Sequence, residues 1–251
     1  LNFSDIHFDP FYDTTLVEKL VRLDYKEWEN VFSDSDNTNF GKYGKDTDFR
    51  LFRSVMKEMK QRIPGPDFII ITGDFMSHNF NENYKEYSGI EDTDSLNLFI
   101  KKTMQFVTSY IVKYYPGTLI FPMLGNDDAY CGNYMIEPDG GFLKILSEEW
   151  EPLVNGNSLW EQIVNGNGIN RSFRKDFSNG GYCLLNFPEK NNFRMIILNT
   201  VFFATNYQNL CGDTLQDPGE DELLWLKNTL KQCRDSGNKV WLSYHIPPGI
   251  D

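Results

Sequence analysis

Residues 68–78 read FIIITGDFMSH, and no other stretch says as much about the architecture of this chain. An apolar run rich in Ile is typical of a strand that is buried on both faces. Gly73 and Asp74 follow it directly, and glycine permits the tight turn that a strand end needs. In open α/β sheets, ligands bind at the carboxyl ends of the strands. The pattern therefore predicts a strand of such a sheet with a ligand site at its end.

Three further apolar runs predict buried strands of the same kind, at 1–6, 119–124 and 240–244. A pair of runs at 182–187 and 194–198 predicts a hairpin. Because the strands alternate with helical segments along the chain, we expect an α/β domain with a largely parallel sheet core.

Helical spacing of apolar residues predicts three helices, at 49–62, 95–114 and about 217–233. In the last of these, Leu223, Leu226 and Leu230 are expected to face inward. The polar stretches 14–48 and 76–94 lack clear periodicity, and we interpret them as long loops over one face of the domain.

Composition limits the class of protein. The chain has 251 residues, enough for one sizeable domain, and we take 1–251 as a single domain. It begins without Met in the middle of a strand and stops just after a motif, so we expect a piece of a longer precursor, truncated at both ends. The net charge of −12 argues against binding to a nucleic-acid polymer, and no apolar run is long enough for a transmembrane segment.

Polar clusters follow all four apolar runs. Asp5 and His7 follow the first, Asp74 and His78 the second, 125–128 (GNDD) the third, and His245 the last. The chain has three histidines, and all three lie in these clusters. Alone, each residue has an ordinary structural role such as capping a turn. Together, at strand ends that converge, they predict one site.

The residue types suit a metal. Imidazole nitrogen and carboxylate oxygen together favour zinc, iron or manganese over calcium. A carboxylate such as that of Asp74 can bridge two cations, and Asn126 offers a neutral oxygen. Two neighbouring cations can activate a water molecule and hold phosphoryl oxygens. An acidic protein that handles phosphates needs such a cation to offset charge repulsion.

These motifs resemble the calcineurin-like metallophosphoesterase superfamily, and within it the acid sphingomyelinase-like phosphodiesterases. The resemblance rests on blocks that run through the chain in order: SDIHFDPFY at 4–12, TGDFMSH at 72–78, LGNDD at 124–128, LNT at 198–200, DPG at 217–219 and HIPPG at 245–249. Vacuolar endopolyphosphatases share much of the pattern, including an acidic residue after the metal-binding Asn.

The resemblance implies an α/β fold, a sandwich of two mixed β-sheets flanked by helices (α/β/β/α). It also implies two divalent metal ions, with zinc the expected metal. Asp5 and His7 would bind the first ion, Asp74 would bridge both, and Asn126 and His245 would bind the second. A hydroxide between the metals would attack phosphorus.

Two departures from the family pattern matter. Asp127 stands where the family usually has the His that protonates the leaving oxygen, so His78 becomes the better general acid, with Asp127 as its expected orienting partner. An ordinary Asp is mostly ionised at neutral pH and acts as an acid only if its pKa is raised. The downstream G-H-x-H motif of the family is also absent from these 251 residues.

The resulting hypothesis is a metal-dependent phosphodiesterase. Its substrate would be a small phosphorylated molecule: a nucleotide, a phospholipid head group or polyphosphate. The alternatives are an endopolyphosphatase-like hydrolase and a catalytically silent binding protein of the same fold.

The resemblance implies secretion, or residence in the lumen of an acidic compartment. Four cysteines and sequons at Asn2 and Asn170 agree with this expectation, although Asn2 falls in a strand expected to be buried.

Overall fold

The computed structural model describes residues 1–36, 40–156, 170, 172–187, 192–208 and 217–249. Six strands form two three-stranded sheets. The first sheet has the order β1-β2-β3, from Asn2–Phe3, Phe68–Ile71 and Leu119–Pro122, and both of its pairings are parallel. The predicted parallel core is this sheet.

The second sheet has the order β4-β5-β6, from Cys183–Asn186, Phe193–Ile197 and Lys239–Ser243. Strands β4 and β5 are antiparallel, which confirms the predicted hairpin, whereas β5 and β6 are parallel. Aromatic rings pack between the two sheets. The ring centroids of Phe121 in β3 and Phe187 are 5.3 Å apart, and those of Phe68 in β2 and Trp241 in β6 are 5.9 Å apart. The α/β fold with two sheets is confirmed.

Eight α-helices are described. They are α1 (Val17–Arg22), α2 (Trp28–Ser33), α3 (Phe49–Arg62), α4 (Phe80–Ser88), α5 (Thr93–Tyr114), α6 (Gly141–Asn155), α7 (Phe173–Gly180) and α8 (Pro218–Asp235). The three predicted helices correspond to α3, α5 and α8. Aspartates begin them: the side chains of Asp48, Asp92 and Asp217 accept from backbone N–H groups of the first turn.

The interpretation of 14–48 and 76–94 as long loops is wrong, because they contain α1, α2 and α4. Their buried faces are short, with two or three buried residues each, so little periodicity was visible. Trp28, for example, is fully buried 5.2 Å from Phe99 of α5, and Phe8 lies 5.3 Å from Phe106. These rings form an aromatic core on the helix side of the first sheet.

Two predictions about burial are wrong. Among the described residues, edge strand β6 exposes Trp241 and Leu242, whereas β4 at the opposite edge buries Cys183 and Leu185, so exposure depends on what covers the faces of each strand. Asn2 in edge strand β1 is also exposed. In α8, Leu223 and Leu230 face outward, while α8 buries a different stripe that includes Glu222.

The sequon residue Asn170 is buried, and its Nδ2 donates to Val154 O at 2.7 Å. That amide is therefore inaccessible to glycosylation in the folded chain. In the part of the chain that the structure describes, no helix combines the length and apolar character needed to cross a membrane.

Candidate metal centre

The segments that follow β1 and β2 run together beyond the ends of the strands. The N–H groups of Asp5 and His7 donate to the carbonyl oxygens of Gly73 and Asp74, at 3.0 and 2.9 Å. Asp5, His7 and Asp74 all have left-handed backbones, with φ of 54°, 42° and 56°. Such a conformation is uncommon for residues with a side chain, and strained residues cluster at functional sites.

The segments after β2 and β3 approach so closely that only glycine fits between them. A Cβ on Gly125 would overlap the carboxylate and the backbone nitrogen of Asp74, and one on Gly73 would overlap the backbone of Gly125. Because the space is free, the N–H of Asp127 reaches Asp74 Oδ1 at 3.1 Å. The glycines of the two motifs are therefore needed for close approach as well as for turning.

Asp128 links the same two segments through hydrogen bonds to its carboxylate. Its carboxylate is fully buried and accepts from the N–H groups of Phe75 (2.9 Å), Met76 (3.2 Å) and Gly125 (2.9 Å). Burial, and then repulsion from Asp74, raise the pKa of Asp128 to about 7, against the three N–H donors that favour the charged form. The sequence contained this residue in a motif but did not indicate its function.

The five side chains predicted as metal ligands converge around one oxygen atom. Asp74 Oδ2 lies 3.5 Å from His7 Nε2 and 3.3 Å from His245 Nε2. Asp5 Oδ1 lies 3.8 Å from His7 Nε2, and Asn126 Oδ1 lies 3.1 Å from His245 Nε2. Two groups of donors therefore share Asp74, and Asp5, His7 and Asp74 form a cluster compact enough to hold an ion.

Hydrogen bonds orient each donor toward the centre. His7 Nδ1 lies 3.2 Å from Met76 O, and His245 Nδ1 lies 2.7 Å from Thr72 O, so both rings present Nε2. The Nδ2 of Asn126 donates to Asn133 Oδ1 at 2.9 Å, which turns the Asn126 oxygen toward His245 Nε2 and the centre. Backbone or side-chain partners behind the ligating atoms are typical of metal sites.

Charge in the centre also suits a cation. Although burial opposes a charged ring, the hydrogen bond and charge of Asp74 raise the pKa of His245 to about 9. The negative potential that favours a proton on Nε2 also favours a metal ion there. Imidazole, carboxylate and amide donors fit a divalent ion of the zinc, iron or manganese type.

His78 does not pair as predicted. Its Nδ1 lies 2.7 Å from Asp46 Oδ1, and its backbone N–H donates to Asp46 Oδ2 at 3.0 Å. Asp127 Oδ2 is 3.8 Å from the other ring nitrogen, Nε2, beyond hydrogen-bond distance. Asp46, and not Asp127, therefore orients His78 in this structure.

Asp46 is the functional candidate that the sequence did not indicate. It lies in a segment that pairs with the one carrying Asp5 and His7, since Thr47 N donates to His7 O and Asp9 N donates to Thr47 O, both at 2.8 Å. The one local signal was an acidic run before α3, which the helix N-cap at Asp48 already explains. Contact across 32 positions has no signature in a single sequence.

The His78 ring stacks on His7, with centroids 4.2 Å apart and planes inclined by 16°. Burial lowers the pKa of His78, but the hydrogen bond and charge of Asp46, followed by Asp127, raise it above its ordinary value overall. Burial and repulsion from Asp74 raise the pKa of Asp127 to about 6. The arrangement places a ring that favours a proton beside the five converging donors.

The chain matches a known protein family and is similar in sequence to several known proteins. A sequence model of the family described as calcineurin-like phosphoesterase matches residues 1–249. Sphingomyelinase phosphodiesterase C of Dictyostelium discoideum is 29% identical over 250 residues, covering 99% of this chain and 48% of the relative. Acid sphingomyelinase-like phosphodiesterase 3b of Homo sapiens is 24% identical, covering 98% of this chain and 47% of the relative.

An endopolyphosphatase of Schizosaccharomyces pombe is also similar, at 26% identity over 267 residues, covering 99% of this chain and 41% of the relative. The chain thus spans about half the length of the curated relatives that it matches. The resemblance deduced from the motifs is confirmed.

Proposed function

The chain belongs to the calcineurin-like phosphoesterase family, and on that premise we propose that it hydrolyses phosphodiesters with the help of two divalent metal ions, zinc being the expected metal. The observation that carries the proposal is the position of Asp74 Oδ2 between two histidine Nε2 atoms, at 3.5 and 3.3 Å. Asp5, His7 and Asp74 would hold one ion. Asp74, Asn126 and His245 would hold the other.

When bound, the metal ions supply an activated water nucleophile and neutralise charge on the phosphoryl oxygens. The chain's own residues supply the proton. With its Nδ1–H donated to Asp46, the protonated ring of His78 carries its second proton on Nε2. From there it can pass to the leaving oxygen of the substrate.

Asp127 supports this role without a direct hydrogen bond. Its Oδ2 lies 3.8 Å from His78 Nε2 and 3.9 Å from His7 Nδ1, so Asp127, when ionised, stabilises the protonated form of His78. We therefore assign proton donation to His78, orientation to Asp46 and an electrostatic role to Asp127.

We extend the proposal to an oxidising location, outside the cell or in the lumen of an acidic compartment. Cys131 is disulfide-bonded, and disulfides persist in such compartments. Cys183 and Cys233 are buried free thiols, and Cys211 lies outside the described residues.

The test is elemental analysis of the full-length protein together with hydrolysis of bis-p-nitrophenyl phosphate from about pH 4 to about pH 8. We expect about two metal ions per chain and metal-dependent turnover. Asp74→Asn should lose both, whereas the matched control Asp235→Asn, at an exposed helix end, should lose neither. Protein without metal and without turnover would instead be a silent binding protein of this fold.

Hydrolysis of polyphosphate is the second candidate, because Asp127 replaces the usual His as it does in endopolyphosphatases and because the S. pombe relative carries that name. Shortening of polyphosphate chains at a rate that exceeds hydrolysis of the diester would favour it.

A further inference from the structure

A cavity of about 150 Å³ adjoins the candidate metal centre. Its walls come from the end of the β2 loop, the first turn of α4 and the segment after β3, and they include Ser77, Asn81, Glu82 and Asp127. Asp127 borders both spaces, since its Oδ2 is 3.8 Å from His78 Nε2. A substituent on a phosphate held at the centre would therefore extend into this cavity.

Two buried polar atoms in the cavity wall have no hydrogen-bond partner among the described residues. They are Ser77 Oγ, on a side chain that is 1% exposed, and Asn81 Oδ1. Asn81 Nδ2 donates to Tyr130 O at 2.9 Å, which fixes the amide so that its oxygen remains as an acceptor. Both atoms are closed off from the cavity in this structure, but the Ser77 hydroxyl can rotate. Because buried polar groups are normally paired, a ligand that donates hydrogen bonds would give it a partner.

The charge of the wall restricts the ligand further. Asp127 and Glu82 carry carboxylates, and no Lys or Arg is found among the described residues that line the cavity. A second phosphate placed there would meet like charge without a counter-ion. A hydroxyl or an ammonium group would instead find acceptors on several sides.

We propose, on the basis of the proposed function, that this cavity is the substrate subsite for a phosphodiester substituent that carries a hydrogen-bond donor and no negative charge. The chemical class is a hydroxyl- or amine-bearing alkyl group next to the scissile phosphate. The subsite makes the protein select such diesters over polyphosphate, whose neighbouring phosphates are anionic.

The test compares p-nitrophenyl phosphodiesters that share one leaving group and differ in the other substituent: propyl, 3-hydroxypropyl, 3-aminopropyl and 2-carboxyethyl. Because the leaving group is constant, differences in kcat/KM report on the subsite. We expect the hydroxypropyl and aminopropyl esters to exceed the propyl ester by about tenfold, the effect of one or two hydrogen bonds. The carboxyethyl ester should fall below the propyl ester.

Variants test recognition of the hydroxyl and of the ammonium group separately, and a further variant controls for folding. Ser77→Ala should reduce the ratio of hydroxypropyl to propyl kcat/KM, and Glu82→Gln should reduce the ratio of aminopropyl to hydroxypropyl. The matched control is Ser147→Ala, which removes another buried serine hydroxyl, one that donates to Lys144 O at 2.7 Å. Ser147→Ala should leave both ratios unchanged while lowering Tm, whereas Ser77→Ala should hold or raise Tm because its hydroxyl lacks a partner.

Equal kcat/KM across the four esters, or unchanged ratios in Ser77→Ala, would overturn the subsite while leaving the proposed function intact. If no ester is hydrolysed, the proposed function fails. In that case, calorimetry on the protein supplied with zinc decides the subsite. Tighter binding of 3-hydroxypropyl methylphosphonate than of propyl methylphosphonate supports it, and equal binding of the two overturns it.

Discussion

Both sheets contribute residues to the candidate metal centre, but the strands that lead to it differ greatly in burial. Strand β2 of the first sheet has a neighbour on each side, and Ile69 and Ile71 are essentially inaccessible. Strand β6 of the second sheet is an edge, with Trp241 45% and Leu242 47% exposed. Yet β2 leads to Asp74 and β6 leads to His245, and the two side chains lie 3.3 Å apart.

The difference shows that core burial is only one way to place a ligand. Asp74 is held by a buried strand, a close glycine contact and the N–H of Asp127. His245 is held by a few polar contacts, from its Nδ1 to Thr72 O at 2.7 Å and from Ile246 N to Thr200 Oγ1 at 2.9 Å. We therefore expect the two halves of the site to respond differently to substitution.

The largest effect should come from removing one histidine from each half. His7→Ala and His245→Ala each delete a donor from one of the two groups, so each should lower turnover by about a thousandfold, since metal catalysis contributes several kcal/mol. Elemental analysis should find about one ion per chain in each variant. Loss of both ions from either variant would show that the halves bind cooperatively rather than separately.

Substitution of strand residues tests the burial difference directly. Ile71→Ala in β2 should lower the free energy of unfolding by about 2–5 kcal/mol, because it opens a cavity in a packed core. Leu242→Ala in β6 should cost less than about 1 kcal/mol, because the side chain is half exposed. Denaturant titration of the full-length protein measures both, and equal costs would mean that further polypeptide covers β6.

Asp46→Asn should affect the chemical step on the first-sheet side. It weakens the orientation and the charge of His78, so kcat should fall by about 10–100-fold, as for loss of an orienting partner. The fall should be greater for an alkyl leaving group than for p-nitrophenolate, which needs no proton to depart. Metal content should stay unchanged. An equal fall for both leaving groups would contradict the role of His78 as proton donor.

Glu222 links α8 to the second sheet and should make stability depend on pH. Burial raises its pKa from 4.5 to about 8, although it accepts from Asn199 N at 2.8 Å. The folded state then binds more protons than the unfolded state between these values, so stability falls as pH rises through this window. We expect a loss of about 4–5 kcal/mol over this window, which Glu222→Gln abolishes. Thermal unfolding across the window checks this, and an unchanged slope in the variant would refute it.

A small effect on the site should come from Thr200→Val, which removes the acceptor for Ile246 N beside His245. One lost hydrogen bond costs about 1 kcal/mol, so metal affinity should fall by less than about tenfold with little change in kcat at saturating metal. Metal titration by calorimetry measures it. A large loss of kcat with unchanged affinity would place Thr200 in the chemistry instead.

Elements that depend on neighbours along the chain could be predicted from the amino-acid sequence. Periodicity predicted α3 and α5, an apolar run and a turn predicted β2 with Asp74 at its end, and the order of motifs identified the family. These features are local, because helix faces, caps and strand ends are set within a few residues.

Contacts between groups that are distant along the chain became visible in the folded molecule. Asp46 pairs with His78, and the Asp128 carboxylate accepts from the segments after β2 and β3. In α8, Glu222 is buried and Leu223 is exposed. Apolar spacing indicates that a helix has a buried face, but the neighbouring elements determine which face is buried. A carboxylate likewise acquires its role from the donors that the fold brings to it, and these lie tens of residues away in the chain.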